Sequence, residues 1–240
     1  LVAVTQSGKG LLFLCIAFFY AGLLVCRASA GTLRLFEKGS IKSLTLYMAI
    51  LIPIVTISFL SRGLYTIEDN EALIDTLVSY LASYAFGHIY AFSDWFAFIS
   101  GRHSELAYSH EGATYGFYTF MGLFKLLGSD KEVPLGIFNE FYTYGDLLAG
   151  NIYTMFRGLI LDFGFAGSVL FMLATGILLH QAFQAMLLNR RPVFTVAVFV
   201  FMMGYFYASF IISVLGWNRM YAVFVLLWII LQINKLITQT

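Results

Sequence analysis

The sequence predicts an all-α, polytopic transmembrane helix bundle carrying a large helical extracytoplasmic loop. Three observations lead there. Of the 240 residues, 60% are hydrophobic and only 11% charged, against about 25% charged in ordinary soluble domains. Five apolar runs approach the length that crosses a bilayer. The basic residues sort the turns between those runs to two consistent sides. A soluble fold of this size has nowhere to place so much apolar surface, whereas lipid accepts it. The formal net charge of +1 lacks the basic stripe that a nucleic-acid partner calls for.

Taken in order, the expected spans are Leu11–Arg27, Ser43–Leu60, Gly158–His180, Val193–Leu215 and Met220–Leu236. Between the second and third lies Ser61–Arg157, which holds eleven of the thirteen acidic residues. Two aromatic-rich segments within it, Ala72–Ser100 and Ala113–Gly128, read as interfacial or re-entrant helices. Asp75, His88 and Asp94 interrupt the first, and the second is short for a span. The turn Arg27–Lys42 carries Arg27, Arg34, Lys38 and Lys42 against Glu37, the next carries Arg190 and Arg191, and the last span ends near Lys235. Five spans put these three regions on one side, the cytoplasmic one. The acidic 61–157 segment and the Gly216–Arg219 turn then fall outside. The chain is treated as one domain over residues 1–240.

Two features are read as structural. Cys15 and Cys26 are eleven positions apart on one helix face, about 16 Å along the axis and too far for a disulfide; they are expected to be buried small apolar residues. Pro192 follows Arg190 and Arg191 where a missing N–H costs least, while Pro53 falls inside a span.

Residues able to carry chemistry concentrate outside. Arg62 follows the second span, Arg157 precedes the third, and Arg219 occupies the turn before the fifth, so all three are expected at the outer membrane boundary. A guanidinium presents a planar fork of donors that matches phosphate oxygens; the competing expectation for each is snorkelling or pairing with a local acid. The run Gly101-Arg102-His103-Ser104-Glu105 and the pair His110-Glu111 offer titratable groups suited to a general base, although loop acids are commonly just solvated. Glu68-Asp69-Asn70-Glu71 lacks the glycine and terminal glutamate of a calcium loop and reads as a charged turn. No metal-ligand spacing such as HExxH or CxxC occurs, so no metal and no cofactor is expected.

The most distinctive stretch runs Asn151-Ile152-Tyr153-Thr154-Met155-Phe156-Arg157, then Asp162-Phe163-Gly164-Phe165-Ala166-Gly167. An aspartate at the start of a span is costly against lipid, about 2.5–3.5 kcal/mol at mid-membrane, and should face inward or sit at the interface. Gly164 and Gly167 permit close helix contact or a local break. With no other kinase signature present, Asp-Phe-Gly here carries no kinase meaning.

This stretch resembles the segment leading into a late transmembrane helix of Wzy-type oligosaccharide repeat-unit (O-antigen) polymerases, in which an Asn-x-Tyr-Thr element precedes an Asp-Phe-Gly. Tyr115-Gly116-Phe117-Tyr118-Thr119-Phe120 is similar to an aromatic, glycine-containing segment of that family's outer loop, and Arg62 matches its arginine soon after a span. The resemblance implies a fold like GT-C-type membrane glycosyltransferases in a bacterial inner membrane. Family members carry more spans, which implies that this chain is the C-terminal part of a longer protein.

The activity implied is transfer of a growing glycan from its polyprenyl-pyrophosphate carrier to a hydroxyl of the next lipid-linked repeat unit. Arg62, Arg157 and Arg219, with Arg102 next, would stabilise the departing pyrophosphate. His103, His110, Glu111 and Glu140 are the candidates for the base. Trp95, Tyr115, Tyr118, Tyr142 and Tyr144 offer faces on which sugars stack, as well as interfacial anchoring. Asn151, Tyr153, Thr154, Asp162 and Gly164 complete the motif. The partners expected are lipid-linked glycans, the bilayer and other polysaccharide assembly proteins. An O-antigen-ligase-like glycosyltransferase has the same physical needs. A transporter or flippase calls instead for titratable residues inside several spans and broken helices in matching halves, and an assembly factor would use the loop for docking.

Overall fold

The structure is a computed structural model, and residues 9–32, 38–60, 69–108, 112–133, 137–145, 148–188 and 192–238 of it are described. It is 73% helix with little sheet. The helices are α1 (Lys9–Ser29), α2 (Lys38–Leu60), α3 (Asn70–Ala82), α4 (His88–Ile99), α5 (Met121–Leu126), α6 (Met155–Leu188), α7 (Val193–Ala208) and α8 (Asn218–Ile237). A π-helical turn, Ser83–Gly87, joins α3 to α4, and a 3₁₀ turn occupies Val214–Gly216. A two-stranded antiparallel hairpin pairs β1 (Tyr142–Tyr144) with β2 (Leu148–Gly150).

Among the described residues, two helices are long and apolar enough to cross a membrane, α6 and α8. Shorter apolar helical stretches cover Leu14–Ser29, Ile41–Ile54 and Val193–Ala208. Large apolar side chains stand outward along both long helices, among them Phe165, Leu170 and Leu173 on α6 and Leu226, Ile230 and Ile233 on α8, with Leu170 65% and Ile230 61% exposed. Rows of this kind on neighbouring turns exceed the scattered apolar surface of a soluble monomer.

The chain divides into two compact units: residues 1–77, 177–207 and 224–240 form the first, and residues 78–176 and 208–223 the second. In the first unit, Ala21 and Leu24 of α1 meet Ala182 and Met186 of α6 and Phe199 of α7. Small residues allow this closeness: a side chain at Gly204 would put its Cβ 2.4 Å from Cε1 of Phe18. The rings of Phe19 and Tyr47 stack at 5.8 Å, joining α1 to α2. Pro192 precedes α7, and its carbonyl accepts the Val196 N–H at 2.9 Å, so the residue without an N–H opens the helix.

The second unit is built around aromatic residues. Ala91, Trp95, Tyr108, Phe138, Tyr142 and Tyr153 form its buried cluster. The hairpin rests on the π-helical turn, where the Ala149 N–H donates to Ser83 Oγ at 3.0 Å. Gly87 is required by that approach, since a Cβ there would lie 2.0 Å from Oη of Tyr142.

Three expectations need correction. The run 193–215 is not one helix: α7 ends at Ala208, because the chain leaves to bond elsewhere. The carbonyl of Ser209 accepts the Met155 N–H at 3.1 Å, and Ser213 turns extended. The 113–128 segment is helical only over Met121–Leu126, the Tyr118 and Thr119 N–H groups before it being claimed by Asp162, as described below. Cys15 and Cys26 are exposed rather than buried; they share the α1 face opposite Leu14, Ala17, Ala21 and Leu24, which are the residues that pack.

Candidate functional site

Among its described residues, the second unit holds two buried charged centres five positions apart near the start of α6. The first is Arg157. Its side chain is only 1% exposed, and Nη2 donates to Glu140 Oε2 at 2.9 Å. The guanidinium carbon lies 3.9 Å from the Phe138 ring centroid, 4.3 Å from that of Tyr153, and 5.4 Å from those of Trp95 and Tyr108. A desolvated cation gains from such ring faces, and an arginine tolerates burial better than a lysine because its charge is spread and weakly hydrated. Nε and Nη1 have no hydrogen-bond partner.

Asp94 of α4 holds one wall of this cage. Its carboxylate accepts the Glu105 N–H at 2.7 Å, the Leu106 N–H at 3.3 Å and the Tyr108 hydroxyl at 2.9 Å. Tyr90 adds a hydrogen bond to Glu105 Oε2 at 2.6 Å. Burial, reinforced by the Tyr153 and Asp94 neighbours, pushes the Tyr108 phenol well above its ordinary range. Burial also raises Tyr153, opposed by the hydrogen bond of Tyr108 and the charge of Arg157. Tyr142, buried beside them, is pushed up to about 12. These phenols therefore stay protonated through the neutral range and act as donors and packing surfaces. His88, on the same helix as Asp94, is pushed below its ordinary value by burial.

The second centre is Asp162, 3% exposed. Oδ1 accepts from Thr114 Oγ1 at 2.5 Å and from the Tyr118 N–H at 3.1 Å. Oδ2 accepts from the Thr119 N–H and from Thr119 Oγ1, each at 2.6 Å. Four donors on one carboxylate answer the cost of burying its charge. They also fold residues 114–119 into a turn that places Tyr115 at a φ of 49° with 83% of its surface exposed. Two residues later Gly164, at φ 68° and ψ 177°, interrupts α6. That conformation is open essentially to glycine alone, so the Asp-Phe-Gly triplet couples a buried anchor to a helix break.

The expected site residues fall into three groups. Arg157, Glu140 and Tyr153 come together in the cage, so a proposed phosphate ligand and a proposed base are paired with one another. Tyr153 also directs its hydroxyl to the Glu140 carbonyl at 3.4 Å, and Thr154 is buried beside them with Oγ1 unpartnered. Arg102 and His103 follow the C-terminus of α4, where the Arg102 N–H caps the helix on the Ala97 carbonyl at 2.9 Å; both side chains are exposed. Arg219 is exposed in the first turn of α8, and Asn151 is half-buried after β2. Arg62, His110 and Glu111 lie outside the described residues. Of the aromatic candidates, Trp95 and Tyr142 are core, Tyr118 is half-buried, and Tyr115 and Tyr144 are exposed.

Asp94, Tyr108 and Phe138 are cage residues that sequence reasoning missed. Asp94 carried a signal, a lone acid in an aromatic helix, which its hydrogen bonds to the 105–108 segment explain. Among the described residues, no three His, Cys, Asp or Glu side chains gather as metal ligands would. No protein-family model, curated protein or solved structure matches this sequence.

Proposed function

We propose that this chain is a polytopic membrane glycosyltransferase that polymerises polyprenyl-pyrophosphate-linked oligosaccharide repeat units on the outer face of a bacterial plasma membrane. One observation carries the reading: a desolvated guanidinium, Arg157, with two donor nitrogens still open, standing at the start of a membrane-length helix. The Asn-x-Tyr-Thr and Asp-Phe-Gly elements that resemble the repeat-unit polymerases flank this residue.

The reaction sets three tasks. Negative charge grows on the departing pyrophosphate, and fixed cations in a dry site oppose it most strongly. Arg157 takes that role, with Arg62, Arg102 and Arg219 as the further candidate cations. The acceptor hydroxyl loses a proton as it attacks, which calls for a base within hydrogen-bond reach. His103 is our choice among the described candidates, because the Glu140 carboxylate is engaged by Arg157. Both carrier tails stay in lipid while the sugars meet outside it, and this converts a bimolecular encounter into one between oriented groups. The exposed rings of Tyr115 and Tyr144 offer stacking faces for those sugars.

The test is glycan chain length in cells lacking the native gene, complemented with alanine and lysine variants of Arg62, Arg157 and Arg219. Protein level and insertion are followed in parallel. Single repeat units from an inserted alanine variant support the clamp, and lysine separates charge from fork geometry. Full-length polymer from every variant makes the arginines anchors and removes the proposed site. A chain whose deletion never alters polymer length is not this polymerase.

A further inference from the structure

Arg157 is held in an unusual way. One edge of its guanidinium is occupied by Glu140, at 2.9 Å from Nη2, while Nε and Nη1 have no acceptor although the side chain is 1% exposed. Buried arginine donors left open call for an occupant. The ring faces are already taken by Phe138 and Tyr153, so any occupant must approach in the guanidinium plane, where paired oxygens of a phosphate or carboxylate fit.

The covering segment has its own signature. Phe138 and Glu140 both come from the short stretch between Ile137 and β1. Ile137 adopts a φ of 80°, which a β-branched residue rarely accepts. Glu140 is also the most solvent-reaching member of the cage, at 14%, against 1–7% for Arg157, Trp95, Tyr108, Phe138 and Tyr153. The strained backbone, the ring over the guanidinium and the carboxylate on its edge thus sit on one strap of chain.

We infer that residues 137–141 form a latch in which Glu140 is an internal stand-in for the substrate anion. The latched carboxylate neutralises Arg157 in the resting state. When the strap lifts, Nη2 is released and the same guanidinium presents its Nε/Nη2 and Nη1/Nη2 forks to a pyrophosphate oxyanion pair. Glu140 is then a positioning residue that keeps a buried cation folded and oriented without substrate. It competes with the ligand for one fork, so its removal tightens binding. This rests on the pyrophosphate reading of Arg157 made above and deepens it.

The experiment uses purified full-length chain in lipid nanodiscs, with inorganic pyrophosphate as the probe and binding followed by calorimetry. Glu140→Gln keeps the shape and one acceptor but lifts the charge. It is expected to bind pyrophosphate about tenfold more tightly than the wild type, because apparent affinity is reduced by the fraction of sites held closed. Arg157→Gln is expected to abolish binding. Should Glu140→Gln not fold, Glu140→Asp, which withdraws the carboxylate by one methylene, is expected to tighten binding in the same direction. Equal affinity in the wild type and the Glu140 variants overturns the latch, as does binding that survives Arg157→Gln. The parent reading is scored separately in cells. Chain length that collapses on deletion, with Glu140 variants binding like wild type, sinks the latch alone. Binding as expected from a chain whose deletion leaves polymer unchanged sinks the polymerase reading and leaves an oxyanion latch.

Discussion

Asp162→Asn is the substitution whose cost follows most directly from the geometry. The carboxylate offers four lone-pair sites and all four are filled, by two backbone N–H groups and two threonine hydroxyls. An asparagine keeps one acceptor oxygen and replaces the other with an NH₂ group. If the oxygen stays on the Thr114 side, the NH₂ faces the Thr119 N–H, and donor meets donor. The Thr119 hydroxyl can rotate to accept, but the backbone N–H cannot. One buried donor is then orphaned, at about 1–3 kcal/mol, and the surviving bonds lose their charge assistance, about 1 kcal/mol between them. The sum is about 3 kcal/mol. In a chain of this size that lowers Tm by roughly 6–12 °C. The assay is thermal unfolding of the detergent-solubilised protein, with hydrogen exchange at residues 114–120 as the local readout. A flip of the amide changes which N–H is orphaned, Tyr118 or Thr119, and not the total. A variant that melts within about 2 °C of wild type, with unaltered exchange in the turn, would refute the anchoring role.

Further outcomes follow from the same geometry. Gly164→Ala places a Cβ at a φ of 68° with no steric neighbour within 4 Å, so the cost is backbone strain alone, about 1–3 kcal/mol by thermal melting. Gly87→Ala drives a Cβ to 2.0 Å from Tyr142 Oη and should accelerate hydrogen exchange across 142–150, with Tyr142→Phe restoring part of the protection. Arg157→Lys keeps a charge but loses the fork and the ring contacts, and breaking a buried pair costs about 3–5 kcal/mol; a variant as stable as wild type would place Arg157 outside the core. In alkali, Tyr142 titrates near 12 when folded and 10 when unfolded. The folded state therefore holds more protons between those values, and stability falls as pH rises from 10 through 12. Melting curves across that range should show the loss, and Tyr142→Phe should lessen it, the other buried phenols carrying the remainder.

The helices were legible where composition alone decides. Runs such as Gly158–His180 and Met220–Leu236 are apolar throughout and lie inside α6 and α8. The 193–215 run was misjudged because hydropathy does not register where the Ser209 and Ser213 backbone is needed elsewhere. Residues 113–120 looked helical for a similar reason. The Tyr118 and Thr119 N–H groups bond to a carboxylate more than forty positions away, and local propensity contains no trace of that partner. The hairpin 142–150 is too short for alternation to announce it. At the candidate site, Asp162 was expected to face inward and does. Arg157 was expected at the membrane boundary, and its burial follows from rings supplied by four separate segments, at 95, 108, 138 and 153.

The disposition of those rings bears on why an arginine is there. For stability alone, an ion pair within an aromatic core is a weak choice, since well-packed apolar residues of similar volume do as well or better. An arginine there that bonds through one nitrogen and leaves two donors open is weaker still. The cage nevertheless invests heavily in that residue: Asp94 fixes the loop bearing Tyr108, Glu140 balances the charge, and Phe138 and Tyr153 lie against the guanidinium. Asp162, by contrast, has every lone pair answered and no donor or acceptor left to offer. The two buried charges, five helical positions apart, thus divide the work, one closing its hydrogen bonds to hold the turn of Tyr115 and the other keeping two donor nitrogens in reserve. A structural role explains Asp162 completely and Arg157 only in part, and the unexplained part is two donor nitrogens, each of which forms an oxyanion fork only together with the Nη2 that Glu140 holds.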